Sequence, residues 1–437
     1  MKKRFKAALG WLGIIILSFI PVFLWFRLGP GIQEFADYSS AVHSLGELFG
    51  LVGMTMFALT FVLSTRLRFI ENIFGGLDKV YIVHGILGGT ALIMILFHPI
   101  FLVLKFIPQD ITQAAIYLLP STFWSVNFGI LALLGLIILI YITLFTKIKY
   151  HRWKFTHEFL GLVFALAVLH VFLVRGSVSS DYIFHGYYVY AAVVSAIGLG
   201  AFSYSLLLKE RIMKAASYLI SDIRKSRNTL VLELVPEHKP INYNAGQAVF
   251  IRFYNEHLSK ESHPFSIASK TGDNKMRIMI KKLGDFTERL EHLKPGDRVS
   301  VEGPYGKFHF RNYPGKRQIW IAAGIGVTPF IGMAEDLLEK KHDIHVDLYY
   351  TARDDSDFAG YDIFSKVASE VPGFRFFPWN SSQKGRITVD SIEKTSSLKN
   401  AEFLLCGSHA FKESIIHKLI KSGVDKDNIH EEVFDFR

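Results

Sequence analysis

A single cysteine, Cys406, stands in the 437 residues of this chain. One thiol closes no internal disulfide and builds no cysteine-held metal cluster. Charge is also scarce over residues 11–208, where long apolar runs leave little room for it. From about residue 214 onward it returns at an ordinary soluble density. Half the chain is apolar, and with that half gathered at the front the sequence reads as a membrane portion followed by a soluble one. The basic and apolar start lacks a small-residue cleavage site and more spans follow, so it reads as a retained first helix rather than a signal peptide. No internal repeat or low-complexity tract stands out.

Six runs are long enough to cross about 30 Å of hydrocarbon: residues 11–28, 43–64, 79–104, 124–145, 155–175 and 185–208. The formal charge of +10 follows these spans. Lys2, Lys3, Arg4 and Lys6, then Arg66, Arg68 and Lys79, then Lys147, Lys149, Arg152 and Lys154, then Lys209, Arg211 and Lys214 fall on one side. Only Arg27, Lys105 and Arg175 fall on the other. The positive-inside bias makes the first side cytoplasmic, puts both termini there and accounts for the basic balance without nucleic acid. Trp11, Trp25, Trp124 and Trp153 lie near the predicted span ends, where indoles favour the headgroup level. Residues 105–123, containing ITQAAIYLLP, read as a short helix on the outer surface or as a loop.

Two spans carry four histidines, His84 and His98 in one, His157 and His170 in the other. A polar group in hydrocarbon needs a partner, and such residues are functional by default. Both spans run from the cytoplasmic side outward, so His84 and His157 share one depth, and His98 and His170 another. At 1.5 Å per residue the two depths are roughly 20 Å apart. Two flat macrocycles stacked across the bilayer, each held by an imidazole from either side, fit this arrangement, as haem iron takes axial histidine. Zinc would gather its ligands at one depth. Core histidines bonded to neighbouring backbone remain the alternative. One detail resists: His84 and His98 lie within about 40° of each other on an ideal helix, but His157 and His170 are about 140° apart. The second helix must tighten or bend, with Gly161 a candidate place, or its ligands approach from different sides.

Beyond residue 214 the pattern shortens. YLISDI, TLVLELV, AVFIRFY, MRIMIKKL and RVSVEG alternate with period two between turn signals, as an antiparallel barrel or sandwich does. One helix, FTERLEHL at 286–293, interrupts them. From residue 318 strands (IWIAA, HVDLYYTA, FRFFPW, EFLLC, NIHEEVF) alternate with helices (FIGMAEDLLEKK, YDIFSKVASEV, AFKESIIHKLIKSG). That alternation predicts a parallel α/β sheet.

The first α/β strand runs into AAGIGVTP, with Gly324, Gly326, Val327, Thr328 and Pro329, and then a helix. Glycines there let backbone approach a phosphate at a helix start; a structural turn is the plainer reading. Arg353, after the next strand, suits the 2′-phosphate of NADPH or is a solvated arginine. Cys406 and Gly407 end a later strand at the same carboxyl edge, where ligands of open sheets bind; burial alone would also explain the cysteine. In the β part, HPFSIAS at 263–269 sets an aromatic beside a hydroxyl, and LGDFTERL at 283–290 offers a glycine turn, Thr287 and free amides at a helix start. A flavin ring on the first and its pyrophosphate on the second would suit them; each alone is equally an ordinary strand or turn.

The order HPFS, GDFT, GPYG (Gly303 to Gly306), GIGVTP and LLCGS resembles the ferredoxin-NADP reductase superfamily. Behind six spans with paired histidines, it resembles the NADPH oxidase and ferric reductase family from about residue 43 to the C-terminus. Thirteen residues separate His84 from His98 and twelve separate His157 from His170, a spacing more similar to the NADPH oxidases than to fungal metalloreductases. HPFS and RDDSDF also resemble the oxidase versions.

The resemblance implies a multidomain membrane protein: a six-helix transmembrane bis-haem bundle (residues 1–210), an FAD-binding antiparallel β-barrel (211–313) and an α/β nucleotide-binding domain (314–437). It implies FAD at His263, Pro264, Phe265 and Ser266 and at Gly284, Asp285, Phe286 and Thr287. NADPH, with NADH as the alternative, is implied at Gly324, Gly326, Val327, Thr328, Pro329, Arg353, Cys406 and Gly407. Two b haems are implied on the histidine pairs, and a C-terminal aromatic, Phe434 with Phe436 as the alternative, over the flavin. Arg66 and Arg68 would face the propionates of the inner haem and Arg175 those of the outer one, or would simply anchor the spans. His43 and Glu47, one turn apart, would supply protons near the outer haem or merely line the interface.

The implied activity is that of a plasma-membrane NADPH oxidase. NADPH reduces FAD, electrons pass singly through the inner and outer haems, and dioxygen outside becomes superoxide. A ferric or cupric chelate as acceptor, or a haem module feeding a periplasmic or extracellular partner protein, are the alternatives. No calcium-binding extension or regulatory insertion is visible, so a compact bacterial-type enzyme is expected, with membrane lipid as partner and no obligatory regulatory protein.

Overall fold

Backbone amides set among apolar side chains must find partners within their own segment, so the long runs of the first half are helices. The computed structural model describes residues 2–28, 35, 37–107, 109–174, 181–208, 215–226, 228–259, 261–339 and 343–432, in two units, Met1–Ile212 and Met213–Arg437.

In the first unit the helices are α1 (Lys2–Leu28), α2 (Tyr38–Ser64), α3 (Arg68–Phe74), α4 (Leu77–Leu104), α5 (Ile111–Ile116), α6 (Trp124–Phe145), α7 (Tyr150–Glu158), α8 (Leu160–Leu173) and α9 (Asp181–Ser203). Six segments are long and apolar enough to cross a membrane: Ala7–Arg27, Tyr38–Ser64, Leu77–Leu104, Trp124–Phe145, Tyr150–Leu173 and Val189–Leu207. Large apolar side chains such as Phe23, Ile138, Phe145 and Leu162 face outward, whereas α2 buries most of its length and forms the centre of the bundle. Asp37 caps α2 by accepting from Ser40 N, and Asp110 caps α5 by accepting from Gln113 N.

The fifth span is where the sequence posed its geometric problem. It is not one helix: α7 gives way to α8 at Phe159, whose N–H reaches back three residues to Thr156 O at 3.2 Å. A three-residue turn advances 120° per residue against 100°, so one such turn recovers roughly 60° of the mismatch between His157 and His170. Gly161 lies just beyond the break, and a Cβ there would fall 2.2 Å from the ring of Phe202 on α9. Glycine lets that ring lie against the helix backbone.

In the second unit β1 (Ala216–Ser226), β2 (Thr229–Pro236), β3 (Ala248–Tyr254), β4 (Ser262–Ser266), β5 (Met276–Lys281) and β6 (Arg298–Tyr305) form an antiparallel sheet ordered β4-β3-β6-β1-β2-β5. Ile267, just past β4, bridges Ile278 of β5, so the two edges meet and the sheet closes. Alternate residues such as Leu232, Leu234, Val249, Ile251, Val299 and Val301 fill the interior. The helix expected at 286–293 is α10 (Asp285–Arg289) followed by a 3-10 turn at Leu290–His292.

The remainder is a parallel sheet of β7 (Arg317–Ala323), β8 (His345–Ala352), β9 (Phe374–Asn380), β10 (Glu402–Cys406) and β11 (Ile429–Glu431), ordered β11-β10-β7-β8-β9. Its helices are α11 (Thr328–Glu339), α12 (Tyr361–Glu370), the short α13 (Ser381–Lys384) and α14 (Val389–Glu393), and α15 (His409–Lys421). Both faces are buried: Trp320, Ala322, Leu348, Tyr350 and Leu404 pack on one side, and Ile319, Ile321, Tyr349, Phe403 and Leu405 on the other. That explains the near-continuous apolar runs of these strands. Strand order reverses between β7 and β10, which opens a crevice at their carboxyl ends.

Candidate functional site

The four span histidines meet in two pairs. The ring centroids of His84 and His157 are 6.2 Å apart, and so are those of His98 and His170. Direct stacking would bring them closer. With metal–nitrogen bonds of about 2.0–2.1 Å and each centroid about 1.1 Å behind its nitrogen, two imidazoles on opposite sides of one metal have centroids about 6.2–6.4 Å apart.

Each ring is aimed through its other nitrogen. Nδ1 of His84 lies 3.0 Å from Thr60 O, that of His98 2.8 Å from Gly46 O, and that of His170 2.7 Å from Ser125 O. Nδ1 of His157 lies 3.2 Å from Thr143 Oγ1, a hydroxyl that itself donates to Leu139 O. All four partners accept, which assigns the proton to Nδ1 and leaves the Nε2 lone pair for a ligand. Glycine at 50 and 129 makes room for the rings, since a Cβ would fall 2.8 Å from His98 Nδ1 and 2.7 Å from His170 Nδ1. Among the described residues no three His, Cys, Asp or Glu side chains converge as a metal cage requires. Two facing imidazoles per site would suit a metal that brings its remaining ligands with it, as haem iron does.

The His98–His170 pair opens into a cavity of about 600 Å3, also lined by His43, Glu47, Lys105, Tyr117 and Trp25. His43 Nδ1 is 3.8 Å from Glu47 Oε1, so this polar pair does stand beside the histidines. Trp25 lies near the end of the first span. It is 2% exposed, wedged edge-on against Phe26 and Phe35, and its Nε1–H has no acceptor among the described residues. Trp153 stacks on His157, and its Nε1–H is also buried without an acceptor among the described residues. Each such group costs about 1–3 kcal/mol if it stays unpaired. Arg66 takes a left-handed backbone (φ 58°) and its Nε donates to Tyr81 OH at 2.8 Å. Arg68 opens α3, and Arg175 lies outside the described residues.

In the barrel, β4 carries His263, Pro264, Phe265 and Ser266 opposite Ile251, Phe250, Val249 and Ala248 of β3. Tertiary folding brings the glycine turn to them: His263 stacks on Phe286 with centroids 3.6 Å apart. The amides expected to be free are partly engaged. Thr287 Oγ1 accepts from Leu283 N and Gly284 N and donates to Gly284 O, while Asp285 Oδ1 accepts from Phe286 N. The Thr287 hydroxyl therefore locks the turn.

At the crevice, Gly324 (φ 55°) turns the chain after β7, and a 3-10 turn through Gly326 and Val327 runs into α11 at Thr328 and Pro329. Gly326 is pressed against the end of β10: a Cβ would fall 2.5 Å from Cys406 O and 2.7 Å from Gly407 N. The glycine motif and the LLCGS strand end thus form one surface. Cys406 itself is fully buried, and burial pushes its thiol above the usual range, so it is held as a neutral thiol in the core. Arg353 is exposed beyond β8. The neighbouring carboxylates are drawn off, Asp354 accepting from Ser382 Oγ at 3.0 Å and Asp355 from Asn380 Nδ2 at 2.8 Å. Phe434 and Phe436 lie outside the described residues.

A joint between barrel and α/β sheet escaped the sequence reading. Asp336 of α11 accepts from Thr271 N at 2.7 Å and Thr271 Oγ1 at 2.6 Å, with His309 Nε2 at 3.3 Å. Burial would raise this carboxyl, but the hydrogen bonds from His309 and Thr271 outweigh it and hold it below its ordinary value. A lone Asp in an amphipathic helix gives no sign of such a contact.

Three families match in order along the chain: "Ferric reductase like transmembrane component" over residues 49–168, "FAD-binding domain" over 213–309 and "Oxidoreductase NAD-binding domain" over 320–416. The Phenol hydroxylase P5 protein of Acinetobacter pittii is 28% identical over 212 residues, 45% of this chain and 59% of that protein. The reductase subunit of the aromatic O-demethylase of Amycolatopsis is 26% identical over 229 residues, 49% and 67% respectively. The chain thus spans little more than half the length of the first of these relatives and about two thirds of the second. Among solved structures, the flavohemoglobin of Malassezia yamatoensis is similar at 18% identity and a TM-score of 0.48, over 76% of this chain and 91% of that one. Six apolar helices together with the ferric-reductase-like match make this a multi-pass membrane protein. With its FAD-binding and NAD-binding portions following in that order, the chain has the architecture of the NADPH oxidase and ferric reductase family, carrying a ferredoxin-NADP reductase-like dehydrogenase portion.

Proposed function

We propose that the protein is a superoxide-generating NADPH oxidase of the plasma membrane, with both termini in the cytoplasm and dioxygen as acceptor on the far side. The observation that carries this reading is the pair of 6.2 Å histidine gaps at two depths of the bundle. When bound, FAD would convert the two-electron donor into single-electron steps and two b haems would carry those electrons across the lipid. The chain's own part is binding and aim. Thr60, Gly46, Ser125 and Thr143 orient the four imidazoles. The β4 strand and the Gly284–Thr287 turn offer the flavin surface, and the β7–β10 crevice offers the coenzyme surface. The basic balance of the loops supports the orientation.

The test uses the purified chain alone, with NADPH and no added protein. Reduction of cytochrome c that superoxide dismutase abolishes is the expected result. Anaerobic reduction of a ferric chelate at a higher rate, with no dismutase-sensitive signal in air, would replace this reading with that of a metalloreductase. Haem reduction with neither activity would point to a partner protein as acceptor.

Arg353 sets the donor. Arg353→Ala is expected to raise the KM for NADPH roughly tenfold, the loss of one charge-assisted contact of about 1.4 kcal/mol, and to leave the KM for NADH nearly unchanged. Equal losses for both coenzymes would remove the 2′-phosphate from this site.

A further inference from the structure

Two tryptophans have buried hydrogen-bond donors with no acceptor among the described residues. Trp25, near the end of α1, is 2% exposed and lines the cavity of the His98–His170 pair. Trp153, one helical turn before His157, stacks on that imidazole with centroids 5.3 Å apart and planes at 19°. In both, the indole Nε1–H is buried and without an acceptor among the described residues. An indole N–H donates only, and buried donors are paired in the great majority of folded proteins. Each of these two therefore points to an acceptor that belongs to a bound group.

The positions of the two narrow the choice. Trp153 lies on the side of the His84–His157 pair that faces the Arg66 and Lys149 end of the bundle. Trp25 lies at the opposite end, among side chains from the start of α2 and the end of α4. An oxidant entering from outside would explain Trp25 and leave Trp153 unexplained. A macrocycle that carries carboxylate arms on one edge, held at each depth by its histidine pair, explains both when each edge faces the nearer end.

We propose that Trp25 Nε1 and Trp153 Nε1 each donate a hydrogen bond to a carboxylate arm of the haem at their own depth. This rests on the haem reading above. A donor on a propionate offsets part of its negative charge, which favours the reduced iron. The two indoles are therefore positioning residues that also raise the potential of one haem each.

The experiment is a spectroelectrochemical titration of the full-length, haem-loaded protein and of its Trp25→Phe and Trp153→Phe variants. Each variant is expected to lower the midpoint of one haem and not the other. The ferrous-to-ferric ratio at fixed potential should fall roughly threefold to tenfold, tenfold being about 59 mV for a one-electron couple. Unchanged midpoints in both variants at full haem content would overturn the proposal. So would a Trp25→Phe effect confined to the KM of the oxidant, which would assign that indole to the acceptor. Should a variant lose haem, ultraviolet resonance Raman on the wild-type protein decides the matter. Hydrogen-bonded indole signals that vanish on haem extraction support the contacts, and identical spectra with and without haem refute them. A preparation that binds no haem at all would fail the function proposed above, a result distinct from any of these.

Discussion

Replacing His98 or His170 by alanine is expected to remove one of two haems per chain and to slow reduction of an external acceptor more than about 100-fold, at least about 2.7 kcal/mol in barrier. Among the described residues the cavity holds one other imidazole, that of His43. That ring is held 3.8 Å from Glu47 on α2, while the opposing ring stays fixed by its own carbonyl bond. Reduction of the flavin by NADPH should persist, because the second unit is untouched. Haem-to-flavin stoichiometry and stopped-flow spectra read both effects. Retention of two haems in either variant would remove the paired-histidine reading of that depth.

Gly326→Ala is expected to cut kcat/KM for NADPH by about 100-fold, again about 2.7 kcal/mol, with haem and FAD content intact. The added methyl group would stand 2.5 Å from Cys406 O and 2.6 Å from Cys406 C. Those are main-chain atoms of a buried strand paired to β7, so no side chain can swing aside. The loop must lift from the end of β10, and the crevice where the two meet loses its shape. Flavin bleaching by NADPH under anaerobic conditions isolates this step from everything in the membrane. A change of less than twofold would place coenzyme binding elsewhere.

Much of this molecule was legible because its signals are periodic. Apolar runs of membrane length gave the six spans, alternation gave the barrel strands, and strand–helix alternation gave the parallel sheet. The pairing of His84 with His157 and of His98 with His170 followed from direction and depth. What stayed hidden depends on contacts with no period. The 3-10 step at Phe159 falls beside Gly161, where the histidine spacing asked for a tighter turn, but the Phe202 ring against that glycine had no signal in the sequence. The enclosure of Trp25 by Phe26 and Phe35 has no such signal, and the Thr271–Asp336–His309 joint links residues too far apart in sequence for any local pattern. The hydroxyl of Thr287 closing its own turn is another such contact.

The four imidazole anchors differ in what they owe to the genetic code. His84, His98 and His170 lean on main-chain oxygens of Thr60, Gly46 and Ser125, which every codon supplies. His157 leans on the Thr143 hydroxyl, which a single base change can delete. Mutational drift can therefore retune imidazole basicity at the His84–His157 pair, while the His98–His170 pair is buffered against the same accident.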